Sequence, residues 1–305
     1  MKSIKMVDLK GQYDLIKGEL DASLDSVLNT TSFINGPAVK EFQSNLQKYL
    51  NVKHVIPCAN GTDALQLALM SLNLHPGDEI ITTDFTFAST AEVVQLMGLK
   101  LKLVDINEET FNIDPSSIEK AITSKTKAII PVHLFGQPAE MEKIIEISKQ
   151  HKLQIIEDNA QALGATYTFK DGVKKKTGTI GHIGTTSFFP SKNLGAYGDG
   201  GAIYTEDDTL AKKIRILANH GMDKRYYHDL VGLNSRLDSM QAAILDVKLK
   251  YLDDYNQKRR NSAIRYSNNL KSIPNVITPN LPSDPQGHVF HQYTLRILDS
   301  KRDLL

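Results

Sequence analysis

Three short segments hold side chains whose types and spacing could do chemistry. The first is Ser187-Phe188-Phe189-Pro190-Ser191-Lys192-Asn193-Leu194-Gly195, followed by Gly198-Asp199-Gly200-Gly201. A lysine held after an apolar strand and beside glycines can be positioned as an amine nucleophile. Taken by itself, Lys192 also reads as one solvated charge among many lysines. In the second segment Asp158 follows the apolar Ile155-Ile156 and Glu157. A carboxylate at the buried end of a strand is costly unless paired. Asp158 could therefore hold a protonated ring nitrogen, or it could cap the next turn. Gln161 stands one helical turn further on and could face the same pocket. The third segment, Asn60-Gly61-Thr62-Asp63, opens an apolar run. A helix N-terminus offers unpaired N–H groups and a positive dipole end, which suits a phosphate. A plain N-cap at Asn60 or Thr62 fits the same residues.

Such groups need a scaffold that brings strand ends and helix starts together. Ala64, Leu65, Leu67, Ala68, Leu69 and Leu72 recur at helical spacing after Asn60-Gly61-Thr62. His75-Pro76-Gly77-Asp78 is a turn, and Glu79-Ile80-Ile81-Thr82 reads as a buried strand. A helix through Ala91–Met97 and a strand at Leu101–Val104 follow. Ala128–Val132 reads as a strand, Glu140–His151 as a helix and Gln154–Ile156 as a strand ending at Glu157-Asp158. Thr185–Phe189 and Gly201–Tyr204 are further strands. This βαβ rhythm predicts an α/β fold with a mostly parallel sheet and helices on both faces. In open α/β sheets ligands bind at the carboxyl ends of strands. From Leu245 to Arg260 the sequence predicts one long charged helix leading to a smaller domain. The expected division is a large domain over 1–245 and a small C-terminal α+β domain over 246–305.

Composition narrows the function classes. The chain has 305 residues, 41% hydrophobic and 23% charged, the balance of a soluble globular protein. Lys plus Arg (36) nearly cancels Asp plus Glu (35), leaving +1, which argues against a dedicated nucleic-acid binder. No apolar run approaches a membrane span, and Met1–Leu9 lacks the apolar core of a signal peptide. The single cysteine, Cys58, excludes an internal disulfide, and a cytoplasmic setting is expected. One cysteine and scattered histidines give no metal-ligand spacing; His133 and His220 are the two histidines worth following. There is no G-x-G-x-x-G fingerprint, no G-x-x-x-x-G-K-[ST] loop and no G-x-S-x-G elbow. Gly178, Gly181 and Gly184, spaced three apart, match none of these.

Assembled in order, these segments resemble the DegT/DnrJ/EryC1/StrS family of nucleotide-sugar aminotransferases. The likeness runs from Val7-Asp8-Leu9 and Ile34-Asn35-Gly36-Pro37 through Ala59–Leu65, Ile130–Gln137 and Glu157–Ala162. It continues through Ser187–Gly201 and Asn219-His220-Gly221 to Asn234-Ser235-Arg236-Leu237-Asp238. The resemblance implies a fold type I transferase dependent on pyridoxal 5'-phosphate (PLP), with pyridoxamine phosphate as its intermediate form. It implies that Lys192 binds PLP covalently and moves the proton during transamination. It gives Asp158 the pyridinium nitrogen, Gln161 the ring hydroxyl and Phe87 the ring face. Gly61, Thr62 and Ser187 would hold the phosphate, completed by Asn234 from a partner subunit of a homodimer. L-glutamate is the implied amino donor and a nucleotide-linked keto sugar the acceptor, for glycan assembly.

Ile130–Gln137 and Tyr226–Gly232 resemble members that aminate C3 of a 3-keto sugar. Members acting on uronates carry an arginine where this chain has Leu230, so a neutral 3-keto hexose is expected. The alternatives are a C4 aminotransferase of the same family and a non-catalytic sugar-nucleotide-binding homologue. A pyridoxamine-phosphate-dependent sugar dehydratase would carry histidine at Lys192. Family members run some tens of residues past Leu305, so a truncated small domain is expected, with a helix starting at Ser300–Leu305.

Overall fold

The computed structural model describes residues 7–298. The helix start expected at Ser300–Leu305 lies outside the described residues, as do Met1–Met6. In chain order the elements are α1 (Leu9–Thr30), α2 (Pro37–Leu50), β1 (His54–Cys58), α3 (Gly61–Ser71), β2 (Glu79–Thr83), α4 (Ala88–Leu96), β3 (Lys100–Val104), α5 (Pro115–Ala121), β4 (Thr126–Ile130), α6 (Met141–His151), β5 (Gln154–Asp158), β6 (Thr166–Thr168), β7 (Lys174–Lys176), β8 (Ile183–Ser187), β9 (Gly201–Thr205), α7 (Asp208–Ala218), β10 (Met222–Lys224), β11 (Tyr227–His228), α8 (Ser239–Leu249) and α9 (Leu252–Leu270). A short ladder, β12 (Val276–Ile277) with β13 (Arg296–Ile297), follows. The residues group into two compact units. One holds the chain up to Leu72 together with Thr185–Leu252; the other holds Asn73–Gly184 and the chain from Asp253 onward.

In the first unit β1 pairs antiparallel with β9, His54 opposite Thr205 and Cys58 opposite Gly201. Around that pair the helices bury one apolar stripe each. α2 begins with Pro37, whose fixed φ suits the first helical position, and buries Val39, Phe42, Leu46 and Leu50. Phe42 meets the buried Phe188 edge to face, with ring centroids 5.4 Å apart. α1 is capped by Asp8, whose side chain accepts the Gly11 N–H, and its Ile16 and Leu20 pack on Ile244 and Val247 of α8.

The second unit is a parallel α/β layer in the order β5-β4-β2-β3. Ile81, Ile129 and Ile155, one from each of β2, β4 and β5, share a core with Ile118 of α5 and Met141, Ile144 and Ile147 of α6. Parallel strands buried by helices read as continuous apolar runs, as these do. Among the described residues no helix is long and apolar enough to cross a membrane.

Three expectations are corrected. The strand expected at Ala128–Val132 ends at Ile130, because Pro131 has no N–H to give a ladder. The long helix expected over Leu245–Arg260 is two helices, α8 and α9. α8 is buried along nearly its whole length, whereas α9 opens with Asp253 and Asp254 in its first turn; the break falls where that burial ends. The strand expected over Thr185–Phe189 lies two residues earlier, since Phe188 donates its N–H to Gly200 and accepts from Ala196, closing a turn instead.

Candidate active site

In the first unit the site is built on the start of α3. Asn60 is its cap: its side-chain oxygen accepts the Asp63 N–H at 2.8 Å and its carbonyl accepts that of Ala64 at 3.1 Å. The N–H groups of Gly61 and Thr62, in the same first turn, have no carbonyl a turn earlier in the helix to donate to. A Cβ on Gly61 would lie 2.7 Å from Ser187 Cβ, so only glycine lets this turn lie against the end of β8. The structure thus brings Gly61 and Ser187 together, with the Ser187 hydroxyl accepting the Phe189 N–H at 3.3 Å.

Lys192 is half-buried in the turn that follows β8, and its N–H donates to Phe189 at 2.9 Å. This turn is gripped from α8. Gln241 accepts the Tyr197 N–H at 2.8 Å, and Lys248 Nζ donates to the Gly195 carbonyl. Lys248 is 1% exposed and lies 5.1 Å from the centre of the Tyr197 ring. Burial pulls its amine down to about 8. Asn234 is exposed and bridges Asn219, while its neighbour Ser235 is buried and accepts the Ala59 N–H at 3.1 Å. His220 lies beside this segment, with φ 57° and its N–H on Leu233.

The second unit carries Asp158, Gln161 and Phe87. Asp158 ends β5 at 5% exposure. Its backbone is fixed on both sides, by Asp158 N–H to Pro131 (2.9 Å) and His133 N–H to Asp158 (3.0 Å). Its carboxylate accepts the Thr90 hydroxyl at 2.9 Å and the Ala160 N–H at 3.1 Å. Both donors are neutral, and a buried carboxylate held in this way suits a cationic partner. Gln161 is half-buried and its Oε1 accepts the Phe135 N–H at 2.7 Å, leaving the amide NH2 as a donor. Phe87 caps α4 and is 71% exposed, free to cover a flat ligand.

Glu157 and His133, both fully buried, are a second pair at the same strand end. Ala139 N–H donates to His133 Nδ1 at 3.1 Å, so the ring proton sits on Nε2 and is given to Glu157 at 2.7 Å. Glu157 also accepts N–H groups of Gly178, Ile180 and Gly181. The triple-glycine spacing therefore marks a loop wrapped on a carboxylate.

Sequence reasoning passed over Thr90, Glu157 and Lys248. A signal was present for two of them. Thr90, Val93 and Val94 share one buried face of α4, and Ile244 and Lys248 stand four apart on the buried α8.

Taken unit by unit, these residues have the types that a phosphorylated pyridine aldehyde would need. The first unit has the N–H groups that start α3, suited to a phosphate, and the half-buried Lys192, whose amine suits a carbonyl; the second has the buried Asp158 carboxylate, suited to a ring cation. The DegT/DnrJ/EryC1/StrS aminotransferase family matches residues 14–305. A protein of Geobacillus stearothermophilus named as a pleiotropic regulatory protein is 49% identical over 99% of this chain and 80% of its own. The UDP-2-acetamido-2-deoxy-3-oxo-D-glucuronate aminotransferase of Pseudomonas aeruginosa is 46% identical over 96% of this chain and 80% of its own. The crystal structure of DesV from S. venezuelae in complex with a ketimine intermediate superposes with a TM-score of 0.94 at 37% identity, covering all of this chain and 80% of that one. The chain belongs to the DegT/DnrJ/EryC1/StrS family, whose enzymes are PLP-dependent aminotransferases.

Proposed function

We propose that the chain moves an amino group from L-glutamate to C3 of a nucleotide-linked 3-keto hexose, making an amino sugar for glycan assembly in the cytoplasm. The observation that carries the reaction type is the donor set, Lys192 after β8 with Asp158 ending β5, in a chain of this family. The choice of C3 draws on the Pseudomonas aeruginosa relative, named for a 3-oxo sugar. The choice of a neutral sugar draws on Leu230, which offers no charge to a uronate carboxylate.

Bound PLP supplies an electrophilic carbonyl and an electron-withdrawing ring. The N–H groups of Gly61 and Thr62 and the Ser187 hydroxyl would hold its phosphate. Asp158 would stabilise a proton on the ring nitrogen, Gln161 would donate its amide to the ring oxygen, and Phe87 would cover the ring. Lys192 Nζ would hold the cofactor, and its amine would take and return a proton at the substrate carbon. Asn234, exposed on its segment, completes the phosphate site of the partner in a homodimer.

The test is a product assay. UDP-, dTDP- and GDP-linked 3-keto and 4-keto sugars are supplied with L-glutamate, and NMR locates the new C–N bond. Amination at C3 is expected; amination at C4 overturns the regiochemistry. The regulatory name of the 49% identical relative favours a second reading, a sugar-nucleotide sensor without turnover. Binding without product in every mixture would establish it.

A further inference from the structure

The Asp158 carboxylate takes its shortest side-chain contact from a residue outside the expected cofactor set. Thr90 lies in the first turn of α4, fully buried, and its hydroxyl is 2.9 Å from Asp158 Oδ2. A second hydroxyl, Thr86, is 3.2 Å from Thr90 Oγ1. An ionised carboxylate can only accept, so the Thr90 proton points to Asp158 and Thr90 accepts from Thr86. Both hydroxyl directions are thereby fixed, and each bond polarises the next. The start of a helix adds dipoles that favour an anion nearby.

The same short segment, Phe85-Thr86-Phe87-Ala88-Ser89-Thr90, also carries Phe87. We propose that Thr90 is a positioning residue for transamination: its hydroxyl holds the Asp158 carboxylate in place, and so sets the protonation of the ring nitrogen that Asp158 stabilises. This rests on Asp158 being the ring-nitrogen partner. A hydrogen bond to a charged group commonly matters by about tenfold or more. A threonine that only filled the core would affect stability and leave the ring nitrogen alone.

The experiment loads the full chain with PLP labelled with 15N at the ring nitrogen. It compares wild type, Thr90→Val, Thr90→Ser and Asp158→Asn by NMR at neutral pH. The valine variant keeps the shape and removes the donor; the serine variant keeps the donor. The resonance is expected to move toward neutral pyridine in Thr90→Val and to return in Thr90→Ser. Thr90→Val should also lose about tenfold in kcat at unchanged KM. Thr90→Ala repeats the measurement if the valine variant does not fold. If Asp158→Asn moves the resonance and both Thr90→Val and Thr90→Ala leave it in place, the role of Thr90 is overturned and that of Asp158 stands. If Asp158→Asn leaves it in place as well, the Asp158 assignment fails and the proposal goes with it.

Discussion

In the proposed reaction Lys192 and Asp158 carry the chemistry, and of the two only Asp158 is buried. Lys192 is half-buried in the turn after β8 and is not among the buried core residues. Lys192→Ala is therefore expected to keep the circular dichroism of the native chain while losing about a thousandfold or more in turnover. Borohydride reduction of the PLP-loaded wild type should tag Lys192; a tag on another lysine, read by peptide mass, would refute the assignment. These two candidates stand out in the sequence because each has an unusual address: a lysine among glycines, a carboxylate after an apolar strand. Their supports were less legible. Thr90 and Asp158 are 68 residues apart, and only the packing of α4 on the end of β5 joins them. Lys248 looks like an ordinary helix lysine until α8 is seen to be buried.

At the scale of elements, α3 and β8 depend on each other through the missing side chain at position 61. Gly61→Ala would put a Cβ 2.7 Å from Ser187 Cβ, which forces the first turn of α3 away from the strand end. Loss of one charge-assisted bond to a phosphate is worth about tenfold or more in affinity. PLP affinity of Gly61→Ala, titrated by fluorescence, should fall at least about tenfold with the chain still folded. An affinity equal to wild type would move the phosphate elsewhere. The elements themselves divide by how much apolar surface they bury. The parallel strands of the second unit declare themselves as apolar runs, misplaced only at ends such as Pro131, whereas the short α5 between β3 and β4 was not read from the sequence. α2 also had a clear stripe in Val39, Phe42, Leu46 and Leu50. The much longer α1 buries only Ile16, Leu20 and Val27, so its apolar pattern is sparse and its partner α8 supplies what the sequence does not show.

For the whole molecule, the proposed homodimer makes a countable prediction. Lys192→Ala and Asn234→Asp should each be inactive alone, the second because a negative charge near the phosphate repels it. Random mixing makes about half of the dimers mixed, and each of these regains one intact site if Asn234 serves the partner, giving about a quarter of native activity. No recovery from confirmed mixed dimers would place Asn234 in its own chain's site or in none. Stability should carry the mark of Lys248. Its folded value, about 8, lies below the ordinary 10.5. Below about pH 8 the amine is charged folded and unfolded, and burial costs its full share. Between about 8 and 10.5 the folded chain has lost the proton that the unfolded chain keeps, so the contribution to stability rises with pH, by about 3 kcal/mol across the window. Urea unfolding of wild type should gain on Lys248→Met from pH 7 to about pH 10; parallel profiles would count against it.

The buried amine has a calorimetric consequence. Near pH 9 folding must hand a proton to the solvent, and unfolding must take one back from the buffer. The apparent heat of unfolding should therefore change with the buffer's own heat of ionisation, differing between an amine buffer and one that ionises with little heat. That difference should shrink in Lys248→Met, which has no proton to return.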